Sequence, residues 1–385
     1  MNLAGRAARD NIRIKNGSRI ERILFWLSFL KVTHAASPVP APMQPEPERQ
    51  GIRAVALGFW IGPVGGRPWS ALAQVAARTA LYNSPEFPMK DLHKLLLLCC
   101  FAGSAADAAQ PAYVLENTEV RAVRAESMKR DYRVFVALPE SYRTSTQRYP
   151  VLFVTDADYA FPIVRSIAQR LSKHAGFEET IVVGLSYADG DTGAYSRRRD
   201  YTPSVPGGVY RSDMPGRAPA FGQAQAYGRF LVTQVLPLVG AHYRADMHRK
   251  VFVGYSYGSL LGLQLLLSEP RSFEHYILGS PSLWFDGGVM FEREKAYATT
   301  YKDMPASVFF GIGAQETLAP GIKRDRFADK HDMVEDLREF DAALTMRRYP
   351  GLKTQLEVFR DEDHASVFPL VFTHGLRAYL KNAGK

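Results

Sequence analysis

Short apolar runs recur along the chain from about residue 117, and longer segments with apolar positions three and four apart fall between them. The runs predict strands near 117–126, 131–138, 151–155, 180–186, 250–254, 274–279, 307–312 and 354–360. The longer segments predict helices near 159–173, 222–239 and 331–346; in the last, Met333, Leu337, Phe340 and Leu344 share one face. Strands alternating with helices call for a mostly parallel central sheet covered by helices on both faces, an α/β fold. The stretch from Ala188 to Phe221 breaks the pattern. It carries Gly, Pro, Asp and five arginines, and it reads as a long irregular lid or binding loop.

The run Val251-Phe252-Val253-Gly254-Tyr255-Ser256-Tyr257-Gly258 is an apolar strand that ends in Gly-x-Ser-x-Gly. Ser259 to Leu267 then continue as an apolar helix. This is the layout of a nucleophile elbow, with the Ser256 hydroxyl at the carboxyl end of a strand. The Tyr257 N–H, at the helix start, is placed to meet an oxyanion. The helpers follow in the order serine, acid, histidine. Glu316 comes just after the apolar run 307–313, and His364 just after the strand at 354–360. An imidazole there can act as general base, with Glu316 holding its tautomer. Asp361, Glu362 and Asp363 read as solvated charges. Of the other histidines, His174, His242 and His248 fall in charged connections, and His374 reads as a packed helix residue.

Several further runs resemble the "Putative esterase" branch of the α/β-hydrolases, which includes esterase-D-like enzymes and the periplasmic esterases that open trilactone siderophores. They are Tyr149 to Asp156, Arg197-Arg198-Arg199-Asp200-Tyr201-Thr202-Pro203, the elbow itself, Ser280-Pro281-Ser282-Leu283-Trp284, and Asp363 to Pro369. The resemblance spans roughly residues 112–382 and implies the α/β-hydrolase fold. By position it implies Ser256 as nucleophile, Glu316 as acid and His364 as base. It implies Ala157 as second oxyanion donor beside Tyr257, and Arg197 as a substrate-facing arginine. Arg199 and Trp284 join it as expected substrate-binding residues, with a loop-pinning role beside Asp200 as the other reading of the arginines. The family's Asp-Gly-Asn oxyanion loop is here Asp156-Ala157-Asp158, which leaves Ala157 and Asp158 both open as the donor. Gly-His-Ser-x-Gly-Gly is here Gly254-Tyr255-Ser256-Tyr257-Gly258-Ser259, and both turn glycines are kept.

The first hundred residues differ in kind. Met89 to Lys94 is a short charged opening, Leu95 to Gly103 an apolar run, and Ala106-Asp107-Ala108 an A-x-A site. Residues 89–108 therefore read as a signal peptide. Residues 1–88, with a Pro-rich stretch from Ser37 to Gln50, read as a disordered upstream extension outside the native protein. That leaves 109–385 as the esterase domain. The leader 1–108 holds 13 Lys+Arg against 7 Asp+Glu, so it carries six of the nine net positive charges, and the overall charge argues for no nucleic-acid partner. Both cysteines, Cys99 and Cys100, lie in the signal's apolar run, so residues 109–385 have no disulfide and no thiol metal site.

The expected activity is a secreted or periplasmic serine carboxylester hydrolase, needing no metal or other cofactor. Its expected partner is a small ester, such as a siderophore trilactone or another anionic ester, with no membrane span in the mature protein. Its oligomeric state is left open. The alternatives are a thioesterase of the S-formylglutathione hydrolase type, an acetyl or feruloyl esterase, and, in another class, a non-catalytic binding module.

Overall fold

A computed structural model describes residues 112–321 and 331–382. They belong to a compact unit spanning Ala109–Lys385. The expected upstream extension, 1–88, and the expected signal peptide, 89–108, lie outside the described residues.

Eight strands form one sheet in the order β1-β2-β4-β3-β5-β6-β7-β8. They are β1 (Thr118–Ala125), β2 (Arg130–Ala137), β3 (Tyr149–Val154), β4 (Ile181–Ala188), β5 (Ala245–Tyr255), β6 (His275–Gly279), β7 (Ser307–Gly313) and β8 (Lys353–Phe359). β1, β2 and β4 pair antiparallel, and every later pairing is parallel. All six residues of β3 and all five of β6 are buried. Strands buried on both faces need no polar alternation, which is why they read as continuous apolar runs.

Alternation instead decides which core each side chain enters. Val151, Phe153, Phe252, Tyr276, Leu278, Val308, Phe310 and Ile312 point to one face. Leu152, Val154, Val251, Val253, Ile277 and Phe309 point to the other. The second face is closed by α1 (Ala157–Ala175) through Phe161 and Val164, and by a C-terminal helix over Phe368–Asn382 through Val371, Phe372 and Leu376. The first is closed by the helix over Tyr257–Ser268, through Leu260, Leu261, Leu263 and Leu265, and by helices on either side of it in sequence. In chain order the helices after α1 are α2 (Gly193–Tyr201), α3 (Ala224–Phe230), α4 (Leu236–His242), α5 (Tyr257–Ser268), α6 (Val289–Thr300), α7 (Met333–Met346) and α8 (Phe368–Asn382). A π-helical turn, Leu231–Val235, joins α3 to α4.

The expected irregular stretch Ala188–Phe221 is corrected in part: α2 lies inside it. Thr192 caps α2 by accepting from the Tyr195 N–H, and Arg199 and Asp200 are buried within it. The chain crosses from β4 to β5 over β3, so the strand order reverses between β3 and β5. In an open parallel sheet that reversal opens a crevice at the carboxyl ends of the two strands.

Candidate active site

Ser256, between the end of β5 and the start of α5, has φ 57° and ψ −115°, a conformation an L-residue enters only when its surroundings force it, at a cost of about 1–3 kcal/mol. The forcing is visible at the two flanking glycines. A Cβ on Gly254 would stand 2.4 Å from the Gly258 carbonyl oxygen, and one on Gly258 would stand 2.3 Å from Thr155 Oγ1. The Ser256 N–H donates to the Gly279 carbonyl at 2.9 Å, tying the elbow to the end of β6. Tyr257 opens α5, so its N–H has no acceptor within the helix. Across the crevice Ala157 opens α1 in the same way, after Asp156 at φ 54°. The two donors expected for an oxyanion thus begin two helices at the carboxyl ends of adjacent strands.

The expected acid and base meet from the loops after two further strands, β7 and β8. His364 Nδ1 stands 2.6 Å from Glu316 Oε2. Glu316 has no solvent exposure, and its Oε1 accepts from Ser280 Oγ at 2.7 Å and the Gly313 N–H at 2.9 Å. Three donors satisfy the buried carboxylate. With Glu316 as acceptor, the Nδ1 of His364 is its protonated nitrogen and Nε2 the basic one. Tyr255 donates its hydroxyl to the His364 carbonyl, and its ring lies 5.0 Å from the imidazole. Asp363 turns to the backbone instead, accepting from the N–H groups of Ala365 and Ser366. Those two bonds, with the Ser366 hydroxyl, hold its carboxyl below the usual range despite partial burial. Ser256, Glu316 and His364 therefore come from the ends of β5, β7 and β8, as the sequence order requires.

Two serines of the Ser280-Pro281-Ser282 run join the site without having been singled out. Ser280 carries the Glu316 contact, and Ser282 Oγ lies 3.2 Å from Ser256 Oγ while being almost fully buried. The signal is the position of the run, which opens the loop directly after the buried strand β6, whereas the sequence reading names only Trp284 from it as a site residue. Trp284 is half-buried beside the elbow, its ring 6.3 Å from Tyr257 and stacked at 5.0 Å on His331.

The arginines sit differently from expectation. Arg199 is buried, with Nη1 2.6 Å from Asp191 Oδ2 and Nε 2.8 Å from Asp200 Oδ1. Burial works against its charge, but the Asp200 carboxylate outweighs it and the guanidinium is held above its ordinary value. A substrate-binding role for Arg199 does not fit a head already enclosed by two carboxylates, whereas the loop-pinning role does. Arg197 reaches the crevice, yet its fork meets Asp156, with Nε 2.9 Å from Oδ1 and Nη2 3.2 Å from Oδ2. Among the described residues there is no group of three or more His, Cys, Asp or Glu that could hold a metal ion, and no helix long and apolar enough to cross a membrane.

The profile of the family described as "Putative esterase" matches residues 125–351. The chain belongs to this family. As a member of the Putative esterase family it has the α/β-hydrolase fold and is a carboxylic ester hydrolase. Among curated proteins it is 26% identical over 279 residues to the ferri-bacillibactin esterase BesA of Bacillus subtilis, covering 71% of this chain and 93% of BesA. It is also 26% identical to the siderophore triacetylfusarinine C esterase of Aspergillus fumigatus, over 65% of this chain and 89% of that one. The structure of the siderophore hydrolase EstB from Aspergillus nidulans superposes with a TM-score of 0.60 at 22% identity, covering 71% of this chain and 98% of EstB, a likeness of fold.

Proposed function

We propose that this family member is a secreted serine esterase that opens the ester bonds of siderophores through an acyl-enzyme on Ser256. The observation that carries the mechanism is the 2.6 Å pairing of His364 Nδ1 with the buried Glu316, at strand ends adjoining the strained serine elbow. The substrate class is supported by the siderophore esters named for BesA and the Aspergillus fumigatus enzyme. Secretion is supported by the signal-like run 89–108.

His364 Nε2 takes the proton of the Ser256 hydroxyl as Oγ attacks the ester carbonyl. The negative charge that develops on the carbonyl oxygen is met by the N–H groups of Tyr257 and Ala157. Collapse of the tetrahedral intermediate breaks the ester C–O bond, and His364 returns the proton to the departing alkoxide. Water, deprotonated by the same nitrogen, then attacks the acyl-enzyme; the bond between the acyl carbon and Ser256 Oγ breaks, His364 returns the proton to Oγ, and the acid leaves. Glu316 stays ionised throughout and stabilises the imidazolium. Trp284, beside Tyr257, forms part of the wall the ester's organic groups meet.

The test combines residue and substrate. A fluorophosphonate should label Ser256 stoichiometrically, and Ser256→Ala and His364→Ala should each lower kcat by several orders of magnitude. The double variant should be barely worse than either single one, because the residues act as a unit. Across a panel of aryl, thio, feruloyl and siderophore trilactone esters, the trilactone should give the highest kcat/KM. Labelling at another serine would overturn the mechanism, and a higher kcat/KM on any other class would overturn the substrate assignment.

A further inference from the structure

We propose that Arg197 is a positioning residue for the oxyanion hole, holding the Asp156 carboxylate so that the donors on either side of the crevice keep their spacing, rather than a receptor for substrate charge. This rests on the serine-esterase reading of the same site.

The hole is made by two chain segments that are distant in sequence, Asp156-Ala157 after β3 and Tyr255-Ser256-Tyr257 at the end of β5. One guanidinium touches both. Its Nε and Nη2 grip the two Asp156 oxygens, while Nη2 also lies 3.4 Å from the Tyr255 carbonyl oxygen. Its Cζ stands 5.3 Å from the centre of the Tyr257 ring, at cation–π range. Asp156 is the residue whose dihedrals aim the Ala157 N–H. At φ 54° and ψ 45° it is left-handed, a region that L-residues other than Asn and Asp rarely enter and that an Asp keeps when its side chain is held by hydrogen bonds. The Arg197 fork, the Tyr187 hydroxyl donating to Oδ1 at 2.7 Å, and the Asp156 N–H 3.3 Å from the Tyr201 hydroxyl are what hold it.

Charge gives a second reason. Asp156 has no solvent exposure, and its Oδ2 lies 3.4 Å from where a Cβ on Gly258 would be, so the carboxylate packs against the first turn of the nucleophile helix. Unpaired, it would repel the negative charge that the hole must stabilise, in a setting where little water screens the repulsion. Arg197 cancels it. The carrier helix suits the role. Residues two apart on a helix face different ways, so Arg199 and Asp200 anchor α2 to Asp191 and to Tyr132 of β2 while Arg197 reaches the crevice. Lysine could supply the charge, but as a point charge it lacks the fork that spans two acceptors.

The experiment compares wild type, Arg197→Ala, Arg197→Lys and Asp156→Asn/Arg197→Ala on a neutral and an anionic ester of the same acyl group. Rates are counted per fluorophosphonate-titrated Ser256. Arg197→Ala should lower kcat about 10- to 100-fold on both esters, with KM changed less than about threefold. Its affinity for an arylboronic acid, which forms a tetrahedral adduct on the serine, should fall in proportion to kcat/KM. Arg197→Lys should recover part of the rate. The double variant should be faster than Arg197→Ala alone, because no unpaired carboxylate is left. A rise in KM confined to the anionic ester would overturn the proposal in favour of substrate binding, and kcat within twofold of wild type on both esters would overturn it outright. Failure of the wild type to label at Ser256 would instead sink the serine-esterase reading on which it rests.

Discussion

The buried Glu316 carboxyl meets three partners, Ser280 Oγ, the Gly313 N–H and His364 Nδ1, the last belonging to the base of the proposed mechanism. Glu316→Gln would preserve the shape but remove the charge that favours an imidazolium, and the amide nitrogen could face Nδ1 in place of an acceptor. We expect kcat to fall by about 10²–10⁴-fold with little change in KM. The neighbouring Asp363 provides the contrast. Its carboxylate serves the backbone of its own turn, so Asp363→Asn should change kcat less than about tenfold, read under the same steady-state conditions. A severe Asp363→Asn beside a silent Glu316→Gln would transfer the acid's role. At this scale the positions of Ser256, Glu316 and His364 past three strand ends were legible, because a strand end is visible as the close of an apolar run. Ser282 was not. A hydroxyl 3.2 Å from the nucleophile depends on how the loop after β6 folds back, and no periodicity records that.

The strands show where sequence reading works. All eight expected runs became strands: inner ones such as β3 and β6 are buried on both faces and read as continuous apolar runs, while β2 alternates buried and exposed positions at period two. Two helices were not foreseen. In α6, Met290, Glu294 and Tyr297 are buried, and the acid at the centre of that face hides the apolar stripe. Glu294 is tolerated there because the Arg347 fork meets it at 2.8 and 2.9 Å. In α2 the sequence Gly193 to Tyr201 has no apolar stripe at all. Its buried positions include Ser196, held by hydrogen bonds, and Arg199 and Asp200, held by ion pairs. Asp200 accepts from Arg199, Tyr132, Ser196 and Arg130, and Asp191 from Arg199 and Arg217. Removing one member of such a network strands the others without water. Arg199→Ala should therefore destabilise the fold by about 3–5 kcal/mol, seen as a lower midpoint in urea. What remains folded should keep the wild-type KM for neutral and anionic esters alike. A stable variant with a raised KM for the anionic ester would restore Arg199 to substrate binding.

Strand order explains why residues so scattered in the chain share one site. The reversal between β3 and β5 opens the crevice, and the loops after β5, β7 and β8 carry Ser256, Glu316 and His364, the proposed nucleophile, acid and base, to the same edge of the sheet. The sheet begins at Thr118 and its last strand ends at Phe359, and α1 and α8 close one face while α3 to α7 close the other. A sheet whose two faces are both covered needs no further element to bury its apolar surface. A chain of residues 109–385 should therefore fold cooperatively and hydrolyse esters with the kcat/KM of the full chain. Expression from Met89 in a Gram-negative host should deliver active enzyme to the periplasm, with a new N-terminus at or near Ala109. Trp284 is then the single tryptophan, since Trp26, Trp60 and Trp69 lie upstream. Its place beside Tyr257 makes its emission a direct report of the elbow, so phosphonylation of Ser256 should shift that emission and leave the urea midpoint no lower. Loss of folding on trimming to 109–385, or exported enzyme that retains residues 1–88, would show that the upstream segment belongs to the working protein.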